Sequence, residues 1–340
     1  MCEHLQERDF HRQRNTGQLL KAKPQSVGAS TLLSREADEA SHRRHGPARL
    51  SNPIKYSMRS FRLPILTFIL LGALAAFYYR AEESVRTETV QFQSKLVGKT
   101  LPYSIVLPPG YGLFTSWRKH YPVLYLLHGW SGQFNSWVGH TSLAQYASEQ
   151  QLIIITPEGN NGWYTDSATV PSDKYETYIL EELIPDVDSR LRTIRDRRGR
   201  AVAGCSMGGY GALKFGLKHP EVFALAASMS GALDATSRID DESIMRTFGE
   251  TNSIERKSND VQQLAQEFPS ERIKLLPYFY LDCGQDDPWL AINRRFSDVL
   301  SEHRIAHEYR QLPGSHGWPY WDRQVREVLR VAAATMVPPE

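Results

Sequence analysis

Material for disulfides is the first thing this sequence lacks. Its 340 residues hold three cysteines, Cys2, Cys205 and Cys283, too few for a disulfide framework and in no spacing that pairs them for zinc. Cys205 and Cys283 read as small apolar filler. An excess of charge of one sign is missing too. The net charge is +2, and no basic stripe crosses the globular part, which argues against a nucleic-acid partner. Internal repeats are absent. The first 60 residues are short of aromatics and rich in Arg and Ser, so they cannot bury enough apolar area to order themselves. Residues 1–60 are therefore expected to be a disordered polar segment, and His42-Arg43-Arg44-His45 a stretch of solvated tail rather than a metal or phosphate site.

Residues 63–79, LPILTFILLGALAAFYY, lack any charge. As a helix they would reach about 25 Å, at the short limit for crossing a bilayer. Phe77-Tyr78-Tyr79 suits a water interface, and twelve Lys or Arg precede the segment while only Arg80 and Arg86 soon follow. That asymmetry predicts a transmembrane anchor with the C-terminal bulk outside the cytoplasm. If translation starts at Met58, the same stretch reads as a signal peptide, with a basic n-region, an apolar h-region and an Ala73-Leu74-Ala75 cleavage site. Either way the C-terminal domain is expected to be extracytoplasmic, membrane-anchored or secreted.

From residue 84 to 340 strand-like and helix-like segments alternate. Residues 87–95 and 100–110 look like an opening antiparallel pair. PVLYLLHG (122–129) and LIIITPEG (152–159) are nearly continuous apolar runs, as strands covered on both faces require. Further strands are expected at 222–231, 277–284 and 307–313, with helices at 174–192, bent at Pro185, at 289–303 and at 319–335. This is an α/β architecture with a mostly parallel central sheet and helices on both faces. Residues 232–276 are polar and patchy, a possible insertion over the active face.

Such sheets gather functional groups at the carboxyl ends of their strands. Ser206 follows the apolar run Ala201-Val202-Ala203 directly, inside GCSMGGYG, flanked by Gly204 and Gly208. Gly-x-Ser-x-Gly marks a turn too tight for a Cβ beside the serine, which thrusts its hydroxyl outward. Asp286 and Asp287 follow YFYLDCG, and His316 follows HEYRQLP. Serine, acid and histidine in that order suit acyl transfer: the imidazole takes the serine proton, and the acid fixes its tautomer. LLHGWSG would present the Trp130 amide beside the Met207 amide as an oxyanion hole. His128 is expected to be structural, and His303 and His307 to be surface residues. Asp282 is expected to bond backbone. Glu158 reads equally as a charge in the cleft or as one end of a salt bridge behind it. Trp163, Tyr164 and Asp166 are candidates for the substrate pocket, as is Trp318. Trp318 and Trp321 could each stack on a sugar or aryl group, with core packing the better reading of both.

LLHGWSG, PEGNNGWYTDS, GCSMGGYGALKFGLKHP, LDCGQDDPWL and PGSHGWPYW together resemble the esterase D and feruloyl esterase family, which includes the bacterial mycolyltransferases and has the α/β-hydrolase fold. The resemblance spans about residues 87–335. It selects Asp287 over Asp286 as the acid and His316 as the base, and it agrees with Trp130 and Met207 as oxyanion donors. It implies a serine carboxylic-ester hydrolase working through an acyl-enzyme on small acyl or feruloyl-type esters, a small-molecule or carbohydrate-linked substrate, no cofactor and no metal. The alternatives it leaves open are a mycolyltransferase-type acyltransferase and an S-formylglutathione hydrolase-like thioesterase.

Overall fold

A computed structural model of the chain describes residues 59–340 apart from 84 and 240; within the first helix it describes the side chains of residues 66–78 and 80. The expected disordered segment therefore lies outside the described residues, save for its last two positions. Those two open α1 (Arg59–Glu83). The helix covers the apolar segment, but among the described residues no helix is long and apolar enough to cross a membrane. The expectation of a transmembrane anchor over 63–79 is corrected accordingly. The uncharged run has only seventeen residues, closed by Arg62 and Arg80, where a span needs about twenty.

Eight strands follow: β1 (Arg86–Val90), β2 (Tyr103–Leu107), β3 (Val123–Leu127), β4 (Ile153–Pro157), β5 (Arg200–Cys205), β6 (Leu225–Met229), β7 (Tyr278–Gly284) and β8 (His307–Leu312). They form one sheet in the order β1-β2-β4-β3-β5-β6-β7-β8. The β1–β2 and β2–β4 pairs are antiparallel, and every pair from β4–β3 to β7–β8 is parallel. The expected opening hairpin and parallel core are both present.

The strand pleat explains why the central runs carry no polar alternation. Val123, Tyr125 and Leu127 join a core on one face of the sheet, while Leu124 and Leu126 join a second core on the other. Ile153 and Ile155 likewise separate from Ile154. Both faces are dry, so both need apolar side chains. At the sheet edge β8 is only half-buried along its length, and its sequence, HEYRQL, is correspondingly polar.

The main helices after α1 are α2 (Ile184–Arg190), α3 (Met207–Lys218), α4 (Glu242–Phe248), α5 (Leu290–Glu302) and α6 (Trp318–Thr335). The helix expected over 174–192 runs without a gap over 175–190 but changes pitch in its middle. A π-helical stretch, Tyr178–Leu183, runs into α2, whose first turn contains Pro185. Proline has no N–H for the preceding turn, and a widened turn accommodates that loss. Residues 232–276 form a string of short helical pieces between β6 and β7. They contribute Ile244, Phe248, Val261 and Ala265 to the same core as α3.

Candidate active site

The site begins with a backbone constraint. Ser206 sits between β5 and α3 with φ 52° and ψ −117°, a conformation that costs a side-chain-bearing residue about 1–3 kcal/mol. The neighbouring glycines make it sterically possible. A Cβ on Gly204 would come within 2.5 Å of the Gly208 carbonyl, and one on Gly208 within 2.5 Å of the Leu127 carbonyl. The end of β3 thus packs on the first turn of α3, with Gly129 against Ser206: a Cβ at 129 would lie 3.3 Å from the serine Cβ.

Two further strand ends supply the rest. Ser206 Oγ lies 3.0 Å from His316 Nε2, and His316 Nδ1 lies 3.0 Å from Asp287 Oδ2. The other Asp287 oxygen, Oδ1, accepts the Trp289 amide at 2.8 Å. Three residues spread over 111 positions of sequence converge because β5, β7 and β8 all end at the same edge of the sheet. The β7 and β8 loops touch there: a Cβ on Gly284 would meet the Gly314 carbonyl at 2.3 Å. The Asp287 side chain is fully buried, whereas that of His316 is 24% exposed. Asp286 is exposed and has its amide on the Gly314 carbonyl at 2.9 Å. With Asp287 held at two points and the imidazole still reachable from solvent, the line can pass the serine proton to His316 while keeping one imidazole tautomer.

Met207 opens α3, where a first-turn amide has no intrahelical carbonyl to pair with and points outward at the positive end of the helix. Trp130 stands next to Gly129 and is 38% exposed. His128 is fixed behind them. Its Nδ1 donates to the Gly129 carbonyl at 2.8 Å, and its Nε2 accepts the Gly159 amide at 2.9 Å. Burial pushes the Glu158 carboxyl up, but the His128 ring beside it and hydrogen bonds donated by the Phe134 and Asn160 amides outweigh it, holding the group below its usual value. Glu158 is therefore a brace behind the turn and not a charge in the cleft.

The expected pocket residues are mostly packing. Tyr164 is fully buried, with its hydroxyl donating to the His128 carbonyl at 3.0 Å. Trp163 is 2% exposed, set edge-on to Tyr210 and donating to Ser243. Asp166 accepts the Glu176 and Thr177 amides at 3.0 Å. These three brace the loop instead of lining a pocket, because Gly159 and Gly211 leave room for the Tyr164 ring to wedge inward. Trp318 is half-buried and stacks on His140 with ring centroids 4.8 Å apart. Trp321 is 4% exposed and packs edge-on to the His316 ring at 4.9 Å. A polar cleft of about 360 Å³, bordered by Lys99, Asn160, Asn161, Asp173, Tyr175 and Arg246, adjoins the same loop but includes neither Ser206 nor His316.

Lys214 is a buried charged group that has no counterpart in the sequence reading, whereas Asp282 has one. Lys214, wholly buried on α3, donates to the Tyr164 carbonyl, to Thr165 Oγ1 and to Glu176 Oε2 at 2.6–2.8 Å. Asp282 is wholly buried on β7 and accepts the Tyr320 hydroxyl at 2.8 Å, a side-chain partner where backbone was expected. His307 is held by the Ile305 carbonyl and Ser297 at the edge of the sheet. Cys205 and Cys283 are both buried and free.

The model of the family described as "Putative esterase" matches residues 94–331. The chain belongs to that esterase family. Among curated relatives, an acetyl esterase of Caldicellulosiruptor saccharolyticus is 26% identical over 59% of this chain and 79% of its own length. An esterase of Mycobacterium tuberculosis is 30% identical over 70% of this chain; the match spans 57% of the mycobacterial protein. Among solved structures, a ferulic acid esterase superposes with a TM-score of 0.65 at 27% identity, over 74% of this chain and all of the other. An S-formylglutathione hydrolase of Staphylococcus aureus gives 0.66 at 26% identity, over 73% and 99%. The α/β-hydrolase reading and the resemblance stated from the five motifs both hold for this esterase.

Proposed function

We propose that this esterase is a serine carboxylic-ester hydrolase that works through an acyl-enzyme on small acyl or feruloyl-type esters. The observation that carries the reading is the hydrogen-bonded line from Ser206 Oγ through His316 to Asp287. In this mechanism Ser206 attacks the ester carbonyl as His316 Nε2 takes its proton. The Met207 and Trp130 amides receive the developing oxyanion, an interaction whose loss typically costs about 3–4 kcal/mol per donor. Asp287 stabilises the imidazolium. His316 then returns the proton to the leaving alcohol, and water, activated by the same imidazole, releases the acid.

Turnover of 4-nitrophenyl acetate by Ser206→Ala is the decisive test. A loss of at least about 10³-fold in kcat, together with loss of labelling by a fluorophosphonate, is expected. Turnover at the wild-type rate would reject the assignment. Placement of the domain outside the cytoplasm rests on the sequence around 58–79 alone; a soluble cytosolic pool of intact chain on cell fractionation would reject it.

A further inference from the structure

Helix α1 exposes its described large apolar side chains. Leu66, Phe68, Ile69, Leu70, Leu71 and Leu74 are 57–76% exposed. At about 100° per residue those six positions encircle the helix. A folded protein partner covers one stripe of a helix; a helix apolar all round needs a medium that surrounds it.

The surface continues onto the esterase domain. At the C-terminal end of α1, the Tyr78 hydroxyl donates to Thr115 Oγ1 at 3.1 Å, which brings the turn around residues 114–119 beside the helix. Phe114 is 80% exposed and Trp117 53%, with their rings stacked at 6.4 Å. The Arg118 guanidinium lies 4.5 Å from the Trp117 ring centroid. Arg80 and Lys119 are exposed nearby in sequence. Aliphatic side chains, then aromatic rings, then cations is the order a protein meets in going from acyl chains through the interface to anionic headgroups.

We propose that α1 and the 114–119 turn form one lipid-docking surface that seats the esterase domain on an anionic membrane. In this arrangement α1 lies among acyl chains, Phe114 and Trp117 at the interface, and Arg118 with Lys119 at the phosphates. Seating of this kind does not require α1 to cross the bilayer, and it is independent of the chemistry at Ser206.

The test uses the full chain and vesicles of phosphatidylcholine with phosphatidylglycerol. The wild type is expected to pellet with them, and Leu70→Glu/Leu74→Glu to lower the bound fraction by at least about tenfold, since each buried charge opposes insertion. Brominated acyl chains are expected to quench tryptophan emission in the wild type, and Trp117→Phe to remove most of that quenching. Both variants change exposed residues, so hydrolysis of 4-nitrophenyl acetate is expected to persist and reports that they are folded. A wild-type chain left in the supernatant overturns the proposal; if it then sediments as a discrete dimer or larger assembly, the surface belongs to second copies of the chain. Quenching that survives Trp117→Phe overturns the role of the turn.

Discussion

Glu176 and Asp282 are both buried carboxylates tied to elements that carry the Ser206 line, yet their surroundings move their pKa values in opposite directions. Burial pushes the Glu176 carboxyl up, but Lys214, His219 and Lys218 outweigh it and hold it far below the usual carboxylate range. Burial pushes Asp282 up to about 7, with Tyr320 and Arg310 offsetting it only in part. Both groups are out of water, so what decides is whether a cation is in contact. Lys214 touches Glu176 at 2.6 Å, whereas the direct partner of Asp282 is a neutral hydroxyl. Asp287 makes a third case, with a histidine on one oxygen and an amide on the other. A fixed charge needs a fixed partner; a proton relay needs one that can change state.

The sharpest way to separate these roles is to make the same substitution within β7 and in the loop that follows it. Asp287→Asn keeps the shape but presents an amide to His316 Nδ1, favouring the wrong tautomer. It is expected to lower kcat on 4-nitrophenyl acetate by about 10³–10⁴-fold. Asp282→Asn, five residues away, is expected to leave kcat close to wild type. A comparable loss in both variants would mean that Asp282 belongs to the relay.

Next in size is the ion pair. Lys214→Met removes the central cation and the donors to Tyr164 and Thr165, leaving a buried carboxylate short of its closest partner. Breaking a buried pair from one side costs about 3–5 kcal/mol, to be read from urea unfolding at pH 7. The loss has an expected pH signature as well. The folded Glu176 pKa lies below its unfolded value, so its contribution is present above about pH 4.3 and fades as pH falls below it. Lys214→Met is therefore expected to differ from the wild type less at pH 3.5 than at pH 7. An equal difference at both values would assign the cost to packing alone.

How these networks relate to the sequence explains what could be read from it. Strands β3 and β4 were legible because each side chain meets a dry face, so the run is apolar without alternation. The hydrogen-bonded line of Ser206, His316 and Asp287 was legible because glycine spacing and strand ends are local signals, and Gly284 and Gly314 fix how two of those ends approach. Lys214 was not. In GALKFGLK a lysine reads as the solvated side of an amphipathic helix, yet α3 is buried all round from Met207 to Leu217. The available hint was its glycine and alanine content, which lets neighbours crowd every side. Trp163 and Tyr164 misled in the opposite direction. Aromatics in a glycine-rich loop suggested a pocket, but the cavities left by Gly159 and Gly211 draw Tyr164 inward. Whether such a ring faces substrate or core depends on contacts with distant residues that no local pattern contains.

The smallest expected effect tests the other half of the comparison. With its folded pKa raised to about 7 against about 3.9 in the unfolded chain, Asp282 keeps a proton on folding that the unfolded chain has already released between those values. Stability contributed by this group is therefore greatest at the acid end of the window and declines as pH rises from about 4 to 7. Asparagine mimics the protonated acid and does not titrate. Near pH 4, where Asp282 is protonated and linkage has cost the wild type little, Asp282→Asn is expected to change unfolding free energy by less than about 1 kcal/mol, the usual range for a substitution that leaves packing intact. At pH 8 the wild type carries a buried carboxylate and the variant does not, so the variant is expected to become the more stable of the two. Urea midpoints of both proteins from pH 4 to pH 8 give the answer: curves that stay parallel would show that Asp282 holds the same charge throughout, and that Tyr320 and Arg310 together suffice to keep it ionised.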